Sequence, residues 1–308
     1  MNRFTTHLLL TFLLAPSLLP EMAIAQSPQR ATVQSAESKP APESEPEKED
    51  IMSSESPVVL FVGASGSVGR LAVAEAFRRG YKTKALVRDP GQARLFPEGV
   101  QIIVGQLTRA ETLHEAVDGV TGIVFTHGVD GNDAKAAEAV NYGAVRNVLS
   151  VLKAPAHIAL MTAVGVTKPT VGHDWKRRGE RLVRASGLPY TIVRPGWFDY
   201  NAPDQHRLVL RQGDTHWAGS PSDGVIARAQ IAQVLVDSLT SPAANRKTFE
   251  LVSEKGSAQS DLEPLFSALP ADPADGIDGI RDRDNLPLAK EPAVFTDDLD
   301  AIRGRFKD

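Results

Sequence analysis

The stretch from Val58 to Arg70 reads Val-Val-Leu-Phe-Val-Gly-Ala-Ser-Gly-Ser-Val-Gly-Arg: an apolar run leading directly into three glycines spaced three apart. A short, β-branched run ending in such a turn fits a buried strand handing over to a helix. The first glycine permits the tight turn, the second lets the backbone approach a bound group, and the third packs helix against strand. A pyrophosphate would then sit at the positive end of the helix. Glycines alone mark any tight strand-to-helix turn, so the surrounding pattern decides what this one is for.

That pattern alternates. Strands are expected at 58–62, 83–87, 101–104, 122–126, 157–161 and 190–194, and helical spacing at 67–79, 113–117, 133–152 and 175–185. After Pro195 the pattern loosens, and it returns with a helix at 228–239 and a strand at 248–252. Strands separated by helices imply right-handed crossovers and a parallel sheet covered on both faces. The expected class is α/β: a Rossmann-type, doubly wound parallel sheet forming one domain at 58–255 with a small C-terminal extension at 256–308. The extension holds a short helix near 261–269 and an acidic, proline-bearing tail expected to pack over the domain.

The first 57 residues are not expected to join the fold. Arg3 precedes an apolar run of 12 residues, Leu8 to Leu19, and Ala23 and Ala25 form an Ala-x-Ala site. These are the parts of a secretory signal at 1–25, and they predict export to the periplasm or beyond. The run is short of the roughly 20 residues a spanning helix needs, so stable membrane insertion requires the signal to be kept as an anchor. Residues 26–57 are rich in Ser, Pro, Ala and Glu and read as a disordered acidic linker. The chain has no cysteine, which excludes a disulfide framework, a thiolate metal site and a cysteine nucleophile, and suits an exported protein. Its 34 basic and 38 acidic residues leave a net charge of −4, with no electrostatic footprint for nucleic acid.

The second strand ends in Leu86-Val87-Arg88-Asp89-Pro90, about 20 residues beyond the glycine turn. There an acid would bind the ribose 2′-hydroxyl of NAD, and an arginine the 2′-phosphate of NADP. Arg88 comes first, with Arg70 close by in the turn, so NADP is favoured over NAD; the competing reading makes Arg88 a solvated loop charge.

With these residues in view, the chain resembles the atypical short-chain dehydrogenase/reductases with an NAD(P)-binding, NmrA-like domain. The resemblance spans 57–255. It rests on VGASGSVGR, LVRDP, the segment 104–108, Asn147, the stretch KRRGERLVRASGLPYTIVRPGWF from Lys176 to Phe198, and two later segments, 227–232 and 248–251. It implies that Gly63, Ser65, Gly66, Ser67, Val68, Gly69 and Arg70 form the phosphate turn and that Arg88 reads the 2′-phosphate. Gln106 stands where the family commonly has an acid touching adenine, leaving an amide and the backbone of Leu107 for that contact. Thr126, His127 and Gly128 fall where the cofactor ribose passes. Thr162 takes the place of the catalytic serine, as a substrate-orienting donor.

The Tyr-x-x-x-Lys pair that classical members of the superfamily use is incomplete here. Lys176 fits the lysine position and could anchor the nicotinamide ribose, but the residue four before it is Gly172. His173 and Tyr200 are the candidates for the missing proton donor. Against these roles, His173 reads as an exposed loop histidine beside Asp174, and Tyr200, like Trp197, as pocket wall. The sequence has no metal-ligand spacing among its seven histidines, no Gly-x-Ser-x-Gly elbow and no Gly-Lys-Ser/Thr after the glycine turn. The basic helix bearing Lys176, Arg177, Arg178, Arg181 and Arg184 reads as a solvated face. Two functions are therefore carried forward: an NADP-dependent reductase of a small carbonyl-type substrate, and a non-catalytic dinucleotide-binding or redox-sensing module.

Overall fold

A computed structural model describes residues 56–129 and 133–306. The expected signal at 1–25, and the expected linker at 26–57 except its last two residues, lie outside them. In chain order the elements are β1 (Val58–Val62), α1 (Ser67–Arg78), β2 (Lys82–Val87), β3 (Gln101–Val104), α2 (His114–Val117), β4 (Gly122–Phe125) and α3 (Ala134–Ala136). A π-helical turn, Ala137–Tyr142, joins α3 to α4 (Gly143–Val151), followed by β5 (His157–Met161), α5 (Val171–Ala185), β6 (Tyr190–Pro195), β7 (Trp197–Phe198) and β8 (Arg207–Arg211). The chain continues through β9 (Val225–Ile226), α6 (Arg228–Ser238), β10 (Lys247–Glu254), α7 (Glu263–Ser267) and α8 (Ala293–Ile302).

Eight strands form one sheet in the order β3-β2-β1-β4-β5-β6-β10-β8, all parallel except the edge pair β10 and β8. This is a Rossmann-like, doubly wound sheet. In β1, successive side chains serve opposite faces: Leu60 and Val62 join the core beneath α4 and α5, while Val59 and Phe61 join the core beneath α1 and α6. A strand buried on both sides must be apolar at every position, which is why its sequence shows a continuous run rather than alternation.

The helix expected over 133–152 runs over 134–151 with the π turn inside it, and α5 begins four residues earlier than its periodicity indicates. Thr170 caps α5 by accepting a hydrogen bond from the His173 backbone N–H at 3.2 Å. His173 therefore sits in the first helical turn, half-buried, and the reading of an exposed loop histidine is corrected.

The basic face of α5 is also corrected. Arg177, Arg178, Arg181 and Arg184 are all buried, and each finds an ion-pair partner in the last 40 residues of the chain. Arg181 makes ion pairs with Asp278 at 2.8 Å and Glu291 at 2.7 Å, Arg178 pairs with Glu291 at 2.6 Å, and Arg177 pairs with Asp278 at 3.0 Å. Arg184 reaches Asp272, and Arg194 of β6 pairs with Asp282 at 2.7 Å. The acidic tail thus straps across the helix by buried ion pairs, and α8 docks beside it, with Asp298 accepting from the Tyr142 hydroxyl at 2.6 Å.

At the centre lies Glu180, fully buried. Its two oxygens accept from Arg194 at 2.7 and 3.1 Å, from Arg184 at 3.2 Å and from the Thr162 hydroxyl at 2.7 Å. Burial alone would raise its pKa, but the two guanidinium charges overcome that and hold it at about 2. Glu250 of β10 behaves oppositely: burial pushes it up to about 8, although Arg194 lies 3.6 Å away.

Two stability predictions follow from these signs. The stabilisation from Glu180 is present above the ordinary carboxylate range and is lost as pH falls through that range toward 2. Glu180→Gln leaves Arg194 and Arg184 buried with a neutral partner and should cost about 3–5 kcal/mol in urea unfolding at pH 7. Glu250, protonated when folded, favours the fold below the unfolded Glu value of 4.5, and that contribution is lost as pH rises through 8. Glu250→Gln should therefore raise the Tm at pH 8 relative to the parent and change it little at pH 5. An equal Tm difference at both pH values would contradict a protonated Glu250.

Candidate active site

Two cavities open at the carboxyl ends of the parallel strands, where ligands bind in sheets of this kind. The first, about 400 Å³, is bounded by the glycine turn, the ends of β2 and β3 with Arg88, Gln106 and Leu107, and the end of β4 with Thr126 and His127. It straddles the point where strand order reverses between β1 and β4.

The glycine turn leaves no room for side chains. Gly63 has φ +86°, and a Cβ there would lie 2.6 Å from the His127 backbone nitrogen; one on Gly69 would lie 2.2 Å from the Gly63 carbonyl oxygen. Gly66 caps α1 without a side-chain hydrogen bond, and the first turn carries no acid. The leading amides of α1 therefore keep their donors for an external anion. This cradle fits a dinucleotide pyrophosphate. Thr126 supports it from below, its hydroxyl lying 3.3 Å from both the Val62 and Gly63 carbonyl oxygens. Asn147, buried in α4, donates to the Leu107 carbonyl at 2.7 Å and fixes the loop that faces the adenine end.

At the adenosine end the two residues that follow β2 are separated by local chemistry. Asp89 accepts from the Gly91 backbone N–H at 2.8 Å and caps the turn that follows, while Arg88 lines the cavity and is exposed. Arg70 lines a different, shallow depression with Leu71, Leu95 and Arg228, and Ser67 accepts from the Arg228 guanidinium at 3.0 Å. Neither lines the first cavity. Val68 is buried in the core under α1.

The second cavity, also about 400 Å³, is formed by the loop after β5, the β6–β7 corner, the first turn of α5 and the segment 217–223. His173 lines it, as do Trp197, Tyr200 and Trp217. Tyr200 follows Asp199, a non-glycine residue at φ +59°, and is largely exposed with its ring edge-on to Trp197 at 6.0 Å. That places it at the rim.

Thr162 takes no position in either lining. Its hydroxyl donates to Glu180 and is buried, so its one proton is unavailable to orient a substrate; that expectation is corrected. Lys176 sits half-buried on α5 with its charge felt by a histidine of each cavity. Burial, reinforced by Lys176, lowers the pKa of His127 to about 4. Burial and then Lys176 also lower that of His173, against the pull of Asp214 and Asp174. Both histidines are neutral at pH 7, so His173 is suited to holding a polar atom rather than to acting as an imidazolium acid. The second cavity drew on residues that sequence reasoning did not flag, Trp217 and Lys168 among them, because both stand in irregular segments without a motif.

Residues 63–242 match the family model described as NAD(P)H-binding, and the chain belongs to that family. It is similar to the sanguinarine reductase of Eschscholzia californica, with 27% identity over 266 residues covering 70% of this chain and 97% of the relative. The NAD(P)H azoreductase of Xenophilus azovorans is 26% identical over 216 residues, covering 68% and 73%. Among solved structures, a putative NAD-dependent epimerase/dehydratase from Bacillus halodurans superposes with a TM-score of 0.56 at 20% identity, covering 69% of this chain and all of that one; this likeness bears on the fold.

Because no Cβ fits at position 69, Gly69→Ala should weaken nucleotide affinity at least tenfold, measured by calorimetry. Asp89→Ala should change it less than threefold, since that carboxylate serves the turn.

Proposed function

We propose that the protein is an NADPH-dependent reductase of a small carbonyl-type molecule. The observation that carries the reading is the pairing of Arg88 with the glycine cradle in one cavity, beside a second, largely apolar cavity of ligand size. NADPH, when bound, supplies the hydride. The chain's own residues do the rest. The α1 amides and glycine turn hold the pyrophosphate, Arg88 meets the 2′-phosphate, and the loops around Leu107 and Thr126 border the adenosine and ribose. His127 lines this cavity, and its Nδ1 is buried without a hydrogen-bond partner among the described residues. His173 offers a neutral imidazole to a polar atom in the second cavity. The reductase names of two relatives support the same class.

A second reading has its own observation. With Thr162 sealed onto Glu180 and no tyrosine four residues before Lys176, the chain lacks the proton-transfer set of the superfamily's classical members. Such a chain would serve as a dinucleotide-binding sensor. As for its address, the Ala-x-Ala site and apolar run carry the proposal that the domain is exported, to be tested by sequencing the mature N-terminus, expected at Gln26.

The cofactor assignment is tested by Arg88→Ala. The variant should lose about 1.5–3 kcal/mol of NADPH affinity, roughly ten- to a hundredfold, while NADH affinity stays constant. An unchanged preference would sink the assignment. Oxidation of NADPH by a carbonyl panel separates the reductase from the sensor, which would bind the nucleotide and leave it intact.

A further inference from the structure

The second cavity has a chemical signature of its own. Its walls are dominated by the rings of Trp197, Phe198, Tyr200 and Trp217, and Trp197 and Tyr200 are large apolar surfaces left exposed at its mouth. Exposed aromatic surface around an apolar cavity marks a place where a ligand completes the burial. Flat rings also favour flat partners, because stacked and edge-on contacts between π-systems add to the area they bury.

Polar features narrow this further. The indole Nε1 of Trp217 is buried and has no hydrogen-bond partner among the described residues. An indole N–H only donates, so the missing partner is an acceptor. An unmade bond of this kind costs about 1–3 kcal/mol, which a ligand oxygen would recover. The Trp217 ring is held in place by the Arg283 guanidinium, 4.2 Å from its centroid. Its carbonyl accepts from Lys168 Nζ at 2.9 Å.

The charges at the cavity are unequal in their commitments. Arg228 is paired with Asp199. Asp223 accepts from the backbone N–H groups of Ala218 and Gly219, each at 2.7 Å, and from that of Ser220 at 3.3 Å, which turns its carboxylate into its own loop. Lys168 lines the cavity with its ammonium on a neutral carbonyl, so that contact leaves its charge uncancelled. A cationic ligand would meet a like charge there.

We propose that this cavity binds a flat, conjugated ring compound bearing an acceptor oxygen, neutral or anionic and not cationic, and that such a compound is the substrate. The proposal rests on the reductase reading for the word substrate and on the cavity alone for the ligand class.

Calorimetry with the full chain, without added nucleotide, provides the test. The probes are 2-hydroxy-1,4-naphthoquinone as the flat anion, cyclohexanone as the non-planar carbonyl, and N-methylquinolinium as the flat cation. The absence of cysteine removes thiol addition to the quinone as a complication. The naphthoquinone should bind at least tenfold more tightly than either other probe and quench tryptophan fluorescence. Trp217→Phe should weaken it about fivefold, and the surface change Lys168→Glu should weaken it while improving the quinolinium. Equal affinity for cyclohexanone or the quinolinium, or no effect of either substitution, overturns the ligand class. A parallel NADPH titration and turnover assay separates the two readings. NADPH oxidised by cyclohexanone and not by the naphthoquinone refutes the inference and keeps the reductase. Naphthoquinone binding without NADPH binding refutes the reductase, and with it the role as substrate.

Discussion

The carboxylate of Glu180 is where the organisation of this molecule converges. It sits on α5, in contact with Thr162 just past β5, with Arg194 of β6 and with Arg184 of its own helix. A lone carboxylate at this depth would take up a proton, and two lone guanidinium groups would be costlier still. Together they hold each other charged, and Arg194 and Arg184 extend the network to Asp282 and Asp272 in the C-terminal strap. Removing any one member leaves a buried charge short of a partner, so the strap cannot be treated as an appendage. It completes the electrostatics of the sheet's interior.

This arrangement also decides the chemistry at the carboxyl ends of the strands. The hydroxyl that resembles a catalytic donor is drawn inward by Glu180. The same helix carries Lys176 and His173 in its first two turns, so the buried network fixes the element from which both project. Two half-buried histidines feel the charge of Lys176, and the outcome is neutral imidazoles beside both cavities. The proton balance of any reaction here must then rely on weak donors or on water. That condition is easiest to meet for acceptors whose reduced form spreads its negative charge, which agrees with an aromatic cavity on independent grounds.

Much of this was legible in the sequence where the determinants are local. The Val58–Val62 run, the glycine spacing and Arg88 lie within about 30 residues of one another, and periodicity plus turn chemistry specify them. What was not legible depends on distant partners. Arg177, Arg178, Arg181 and Arg184 read as a wet face because charge at helical spacing usually faces water. Their burial depends on Asp272, Asp278 and Glu291, about 90 to 110 residues onward, in an acidic tail whose sequence predicts packing over the domain without marking which helix it meets. The start of α5 was displaced by a single capping residue, Thr170. The π turn before α4 has no compositional mark, yet it places Asn141 to accept from the Val129 backbone N–H at 2.9 Å beside the nucleotide cavity.

A buried ionic strap is an expensive way to hold a tail, since an apolar contact of equal volume would often be as stable. What ions add is specificity of position. A guanidinium fork fits a carboxylate in few orientations, so the Arg181–Asp278 pair fixes register as well as proximity. Here that precision reaches the cavity. Arg177 donates to Asn285 at 2.5 Å, and Asn285 donates to the Thr167 carbonyl at 2.9 Å. Asp214 accepts from Gly165 and Thr167 on the other side. The loop after β5 that forms one wall of the aromatic cavity is therefore clamped between the strap and the sheet edge, and the geometry of the binding surface is set by charges that never touch the ligand.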